Sequence, residues 1–128
     1  MTITEFLEAR LSEDEAVARA ASAMMTGPSW EDDGTSVSSG EDTFWVDGLY
    51  VRSPEDVSAH IARHDPARVL AECAAKRRVL ETLRSYEPDT EWGVVRDMGM
   101  RGNNAAGAVR ALAAVYASHP DYQQEWAV

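Results

Sequence analysis

Apolar residues recur at spacings of three and four from the start of the chain: Ile3, Phe6, Leu7, Leu11, Val17, Ala21, Met24 and Met25, with acidic side chains between them. That period lays one apolar stripe along a helix and leaves the opposite side to water. Thr2 followed by Glu5 is a capping-box pattern, in which the threonine oxygen accepts a first-turn N–H and the glutamate reaches back. Gly27-Pro28 ends the pattern, because proline lacks a donor and restricts the residue before it. A first helix is therefore predicted over about 3–25.

Between Gly27 and Ser53 the period shortens and Gly, Ser, Asp and β-prone aromatics take over. Thr43-Phe44-Trp45-Val46, Asp47-Gly48 and Leu49-Tyr50-Val51-Arg52 read as a 43–52 hairpin. Asp-Gly supplies the positive φ angles of a two-residue type I′ turn between β-rich runs. A further strand around Thr35-Ser36-Val37 precedes it, joined through Ser38-Ser39-Gly40. Two strands alone are marginal in water, so the sheet must lean on helices.

Ser53-Pro54-Glu55-Asp56 combines an N-cap serine, proline at the first helical position and acids in the first turn, which predicts a second helix over 54–64. Pro66 disfavours helical geometry at Asp65, and Asp65 can itself cap a third helix over 66–85. Residues 87–104 read as a long loop. Asn103 or Asn104 then caps a fourth helix through Ala105, Val109, Leu112, Tyr116 and Ala117, broken at Pro120 and followed by a last turn carrying Tyr122 and Trp126. Together these elements predict an α+β fold: N-terminal helix, small antiparallel sheet with the hairpin, broken helix pair, C-terminal helix.

With 128 residues the chain has the length of one domain, 1–128. A single cysteine, Cys73, excludes an internal disulfide and fits a reducing cytoplasm. Neither a leader pattern at the N-terminus nor a long apolar span is present, so no membrane role is expected. The charge is uneven: −10 over residues 1–56, +3 over 57–86 and −3 over 87–128, a net of −10. An acidic surface repels polyanions at long range, which disfavours nucleic acid as a partner.

Four groups of residues carry possible chemistry. His60 and His64 stand four apart on a helix, the spacing that points two imidazoles at one metal ion, and His119 is the remaining histidine. A zinc protease needs glutamate after the first of the pair, where this chain has Ile61. Val57, His60, Ile61 and His64 also fit one inward helical face, with His60 half-buried and His64 a helix-end cation. Arg63 and Arg68 beside the histidines suit a small anion or nucleotide. Arg68, Arg77, Arg78 and Arg84 on the third helix suit RNA or an acidic partner or, more simply, the acids of the first helix. Cys73, on an apolar stripe with Val69, Leu70, Leu80 and Leu83, reads as a small hydrophobe.

Two segments, His60-Ile61-Ala62-Arg63-His64-Asp65-Pro66-Ala67-Arg68-Val69-Leu70-Ala71-Glu72 with Ala75-Lys76-Arg77-Arg78, and Ala117-Ser118-His119-Pro120-Asp121-Tyr122 with Glu125-Trp126, are similar to a family of small uncharacterised proteins of actinobacteria and their phages. Phe6-Leu7-Glu8-Ala9-Arg10-Leu11 with Glu13-Asp14-Glu15 shares the likeness, which covers about half the chain. That resemblance implies a habitat and a domain of unknown function. More distantly, the order of helix, Gly27-Pro28, tryptophan, small sheet and helix pair resembles phage accessory proteins with a Pro-Gly-Pro-Trp signature, where this chain reads Thr26-Gly27-Pro28-Ser29-Trp30.

The leading expectation is a non-enzymatic protein-interaction or accessory module of the cytoplasm, with no catalytic residue, cofactor or metal. Its partner is another protein, met by the aromatic-rich sheet or by Tyr122 and Trp126. The alternatives are a small metal-dependent enzyme using His60, His64 and His119, and a binder of a small anionic ligand through Arg63, Arg68 and the histidines.

Overall fold

Thr2 and Glu5 close the predicted capping box at the head of α1 (Ile3–Met24): the Thr2 N–H donates to Glu5 Oε2 at 2.7 Å and the Glu5 N–H donates to Thr2 Oγ1 at 3.1 Å. The Thr2 N–H and hydroxyl hold the Glu5 carboxyl below the usual carboxylate range. The structure, a computed structural model, describes residues 1–46, 48, 52–84 and 99–128, with 99–104 by backbone alone. After α1 come β1 (Glu31–Asp32), β2 (Ser36–Ser39), β3 (Asp42–Trp45), α2 (Pro54–Arg63), α3 (Pro66–Arg84), α4 (Gly99–Ala114) and a 3-10 turn at Gln124–Trp126. The fold is α+β, as the pattern predicts.

The chain divides into two compact units, Met1–Ser12 with Ala74–Val128, and Glu13–Cys73. In the first, Ile3, Phe6, Leu7 and Leu11 of α1 are buried, as are Leu80 of α3, Ala105, Val109 and Ala113 of α4, and Trp126. The spacing of four from Ala105 to Ala113 carries α4 through Gly107, whose helix penalty is about 1 kcal/mol. α4 starts at Gly99, earlier than the predicted Asn103 or Asn104, so 99–104 is helix where a loop was predicted; residues 87–98 of that loop lie outside the described residues.

In the second unit Ala18 of α1, Val37 of β2, and Ser58 and Ala62 of α2 are buried, and so is Cys73. Val17 and Met24, placed on the apolar stripe by the sequence pattern, are instead 70% and 81% exposed. A period of 3.6 counted on from Leu11 reaches Ala18 and Met25, not Val17 and Met24, so the two apolar residues fall a step off the buried line.

The described sheet is antiparallel in the order β1-β2-β3. Its register pairs Val37 with Phe44 and with Asp32, and Ser36 with Trp45. Alternation then places Asp32, Val37 and Phe44 on one face and Glu31, Ser38, Thr43 and Trp45 on the other. The first face is anchored to α2 through Ser58, whose Oγ lies 2.8 Å from Asp32 Oδ1 and also within reach of the Gly34 carbonyl.

Ser39 opposite Asp42 leaves Gly40-Glu41 as a two-residue loop. Gly40 has φ +58 and Glu41 is not in the left-handed region, the combination of a type II′ turn with glycine first. The hairpin of the described residues is thus 36–45. The partner arm predicted for it, through Asp47 and 49–51, lies outside the described residues.

Gly40 is the most constrained of these positions, because a Cβ there would sit 2.6 Å from Thr26 Cγ2 as well as straining the backbone. Gly40→Ala is expected to lower stability by about 1–3 kcal/mol in urea denaturation. An unchanged midpoint would contradict the turn geometry.

Candidate functional site

Three places gather the residues singled out by the sequence. The first is the junction between α2 and α3 in the second unit. Proline at 66 supplies no N–H and turns residue 65 out of helical geometry, so one helix ends at Arg63 and another starts three residues later, at Pro66. The donors left open at the head of α3 are all met: the Ala67 N–H by the Pro28 carbonyl at 3.0 Å, the Arg68 N–H by Asp65 Oδ1 at 2.9 Å and the Val69 N–H by the Asp65 carbonyl at 3.1 Å. Asp65 is the cap the sequence predicts. Its second oxygen, Oδ2, accepts the Trp30 N–H at 3.0 Å, a tie with no local sequence signal. Ser53 holds the corresponding position before α2, yet its hydroxyl makes no capping bond.

His60, Arg63, His64 and Arg68 come together at this junction. The His60 and His64 rings lie 4.4 Å apart with planes 34° from parallel, and both residues are exposed. The half-buried environment predicted for His60 is therefore not found: the buried positions of α2 are Ser58 and Ala62, which lie on a different side of the helix. His64 Nδ1 is 3.0 Å from the His60 carbonyl, so that nitrogen carries the proton it donates. Arg68 turns its Nε to Glu72 Oε1 at 2.7 Å, an exposed i,i+4 pair of a few tenths of a kcal/mol.

The second place is the aromatic cluster of the first unit. Phe6 meets Tyr116, His119, Tyr122 and Trp126 with centroids 5.1–6.3 Å apart, mostly edge to face. Trp126, a candidate partner anchor from the sequence, is only 7% exposed and belongs to this core; Tyr122 is half-buried against Phe6 and Trp126. A short C-terminal turn can bury a tryptophan because Phe6 supplies the surface it covers. His119 Nδ1 accepts the Asp121 N–H at 3.1 Å and meets Arg10 Nη1 at 2.6 Å. Arg10 is 6% exposed, with its guanidinium 5.3 Å from the Phe6 centroid and Nη1 3.8 Å from Asp121 Oδ2. The pattern offered one signal for Arg10: it stands four residues after Phe6 on the apolar stripe.

Also in this unit, Glu8, Arg77, Leu80, Glu81 and Arg84 line an open cleft of about 320 Å³. Arg84 bonds Glu8 Oε1 at 2.9 Å and Arg77 bonds Ser12 Oγ at 3.0 Å. The simpler expectation for the third-helix arginines, pairing with acids of the first helix, holds for Arg84. Among the described residues no three His, Cys, Asp or Glu side chains gather in a way that could hold a metal ion, and His119 belongs to a different unit from His60 and His64. No helix among them is long and apolar enough to cross a membrane.

The third place is the outer sheet face. Trp45 is 74% exposed there, beside exposed Thr43 and in a sheet whose Glu31, Asp32, Glu41 and Asp42 are all exposed acids. On the opposite face Phe44 packs edge-on to Trp30 at 5.8 Å, and Trp30 Nε1 donates to the Gly27 carbonyl at 3.0 Å.

Since Phe6 touches four other rings, Phe6→Ala is expected to cost about 3–5 kcal/mol in denaturant unfolding and to flatten the near-UV circular dichroism of the aromatic cluster. A loss below about 1 kcal/mol with the near-UV signal intact would show that the cluster does not hold this unit together.

The family of unknown function DUF6221 matches the chain over residues 1–128, and the chain belongs to that family. No curated protein and no solved structure matches it.

Proposed function

We propose that this member of the DUF6221 family is a non-enzymatic interaction module that binds another protein through the outer face of its small sheet. The observation that carries the reading is Trp45, 74% exposed on β3. Leaving a tryptophan in water forgoes about 1.5–3 kcal/mol or more of burial, and tryptophan is the residue type most often found at the energetic centre of interfaces. The alternation that buries Phe44 against Trp30 turns Trp45 outward, so its direction is set by the fold rather than by a mobile side chain.

Glu31 lies on the same sheet face as Trp45, and Glu41 and Asp42 are exposed acids at the hairpin turn of the same small sheet. The partner surface complementary to it is an apolar pocket rimmed by Lys or Arg, and its association is accelerated at low ionic strength. A surface of this charge repels nucleic acid and anionic lipid. The single cysteine supports a reducing cytoplasm, and the likeness of the 60–72 and 117–126 segments to actinobacterial and actinophage proteins supports that habitat.

A photo-reactive amino acid at position 45, introduced in the native host, tests the reading. A discrete protein adduct is expected, weakened by added salt and absent when the same group is placed at position 17 on α1. The absence of any adduct at position 45, or equal adducts at both positions, would overturn it.

A further inference from the structure

We propose that His60 and His64 form a surface chelate for one divalent ion of the Cu2+, Ni2+ or Zn2+ class at the C-terminal end of α2. Residues four apart on a helix stand over one another, and here the two rings are 4.4 Å apart, tilted by 34°, and exposed to water. An ion with bonds of about 2.0–2.1 Å at a tetrahedral angle needs its two nitrogens roughly 3.3 Å apart, so the two rings must turn their nitrogens toward a common point to hold it.

His64 is prepared for the task. Its Nδ1 donates to the His60 carbonyl at 3.0 Å, which fixes the tautomer and makes Nε2 the nitrogen that carries the lone pair. Imidazoles that bind metals characteristically donate their other nitrogen to a carbonyl or carboxylate in this way, which orients the ring and raises its basicity. His60 stands on the last turn of α2 and His64 is its C-cap residue, where the helix dipole favours a positive charge. Two cations stand against the ion: Arg63, exposed on the same turn, and Arg68, whose Nε pairs with Glu72 while its Nη1 reaches the Arg63 carbonyl at 3.5 Å.

Two imidazoles fill half of a tetrahedral sphere, and among the described residues no third His, Cys, Asp or Glu completes it. The ion therefore keeps water at its remaining positions and exchanges with solution, unlike a buried structural zinc. Oxygen-loving Mg2+ and Ca2+ have no reason to bind two nitrogens.

Isothermal titration of the full chain with CuCl2, NiCl2 or ZnCl2 alone, in a non-coordinating buffer, tests this. One ion per chain is expected, with Cu2+ tightest and with no competition from millimolar Mg2+ or Ca2+. Because losing one arm of a chelate forfeits its effective concentration, His60→Ala and His64→Ala should each weaken Cu2+ binding by roughly 10²-fold. Both rings are exposed, so the far-UV circular dichroism of the variants should match the parent, and His119→Ala should bind Cu2+ as the parent does. Parental affinity in His60→Ala or His64→Ala, or loss of binding in His119→Ala, would overturn the proposal.

Discussion

One carboxylate organises the second unit. Pro66 forces the chain out of helical geometry at Asp65 and removes a donor, and the Asp65 side chain then serves two masters: Oδ1 takes the Arg68 N–H at the head of α3, and Oδ2 takes the Trp30 N–H. A hydrogen bond to a charged group is worth about 1.5–3 kcal/mol, enough to decide where the segment after α1 runs. With Trp30 held there, its ring lies edge-on to Phe44, and Phe44 faces inward with Val37. The next residue along β3 must then face outward. The tie from Asp65 thus reaches the sheet through Trp30 and Phe44, and the same helix break leaves His60 and His64 at the open end of α2.

The first unit depends on a different compromise. Arg10 stands on the apolar side of α1, where an unpartnered cation would be costly. Its guanidinium lies over Phe6 and reaches His119, with Asp121 at the rim. The charge is therefore accommodated by the same C-terminal segment whose Tyr122 and Trp126 cover Phe6. Aromatic area supplies the stability of this cluster, while the polar contacts of Arg10 define how the C-terminal turn seats on α1.

Much of the helical frame was legible in the residues themselves, because its signals are local. Thr2 with Glu5, Pro54 after Ser53, and Pro66 after Asp65 mark helix starts within a residue or so of where they occur. The dual role of Asp65 was half legible: a cap is a local pattern, whereas the bond to Trp30 spans 35 residues. The body of α4 was legible in the spacing of Ala105, Val109 and Ala113, while its start at Gly99, ahead of the two asparagines, carries no local cap signal. Tyr122 and Trp126 read as exposed anchors because an isolated C-terminal turn cannot bury them; the surface of Phe6, more than a hundred residues away, makes Trp126 core and half-buries Tyr122. Trp45 was visible as part of an aromatic sheet, but which of Phe44 and Trp45 faces outward depends on register, which the type II′ turn at Gly40 determines.

The most direct test of the role given to Asp65 is amide hydrogen exchange, read residue by residue by NMR, in the parent chain and in Asp65→Ala and Asp65→Asn. A shared carboxylate predicts that the Trp30 and Arg68 amides lose protection together in the alanine variant. In the asparagine variant, which keeps one acceptor oxygen, one of the two should stay protected. If the Trp30 amide exchanged as slowly in Asp65→Ala as in the parent, the carboxylate would not be what joins the helix junction to the sheet.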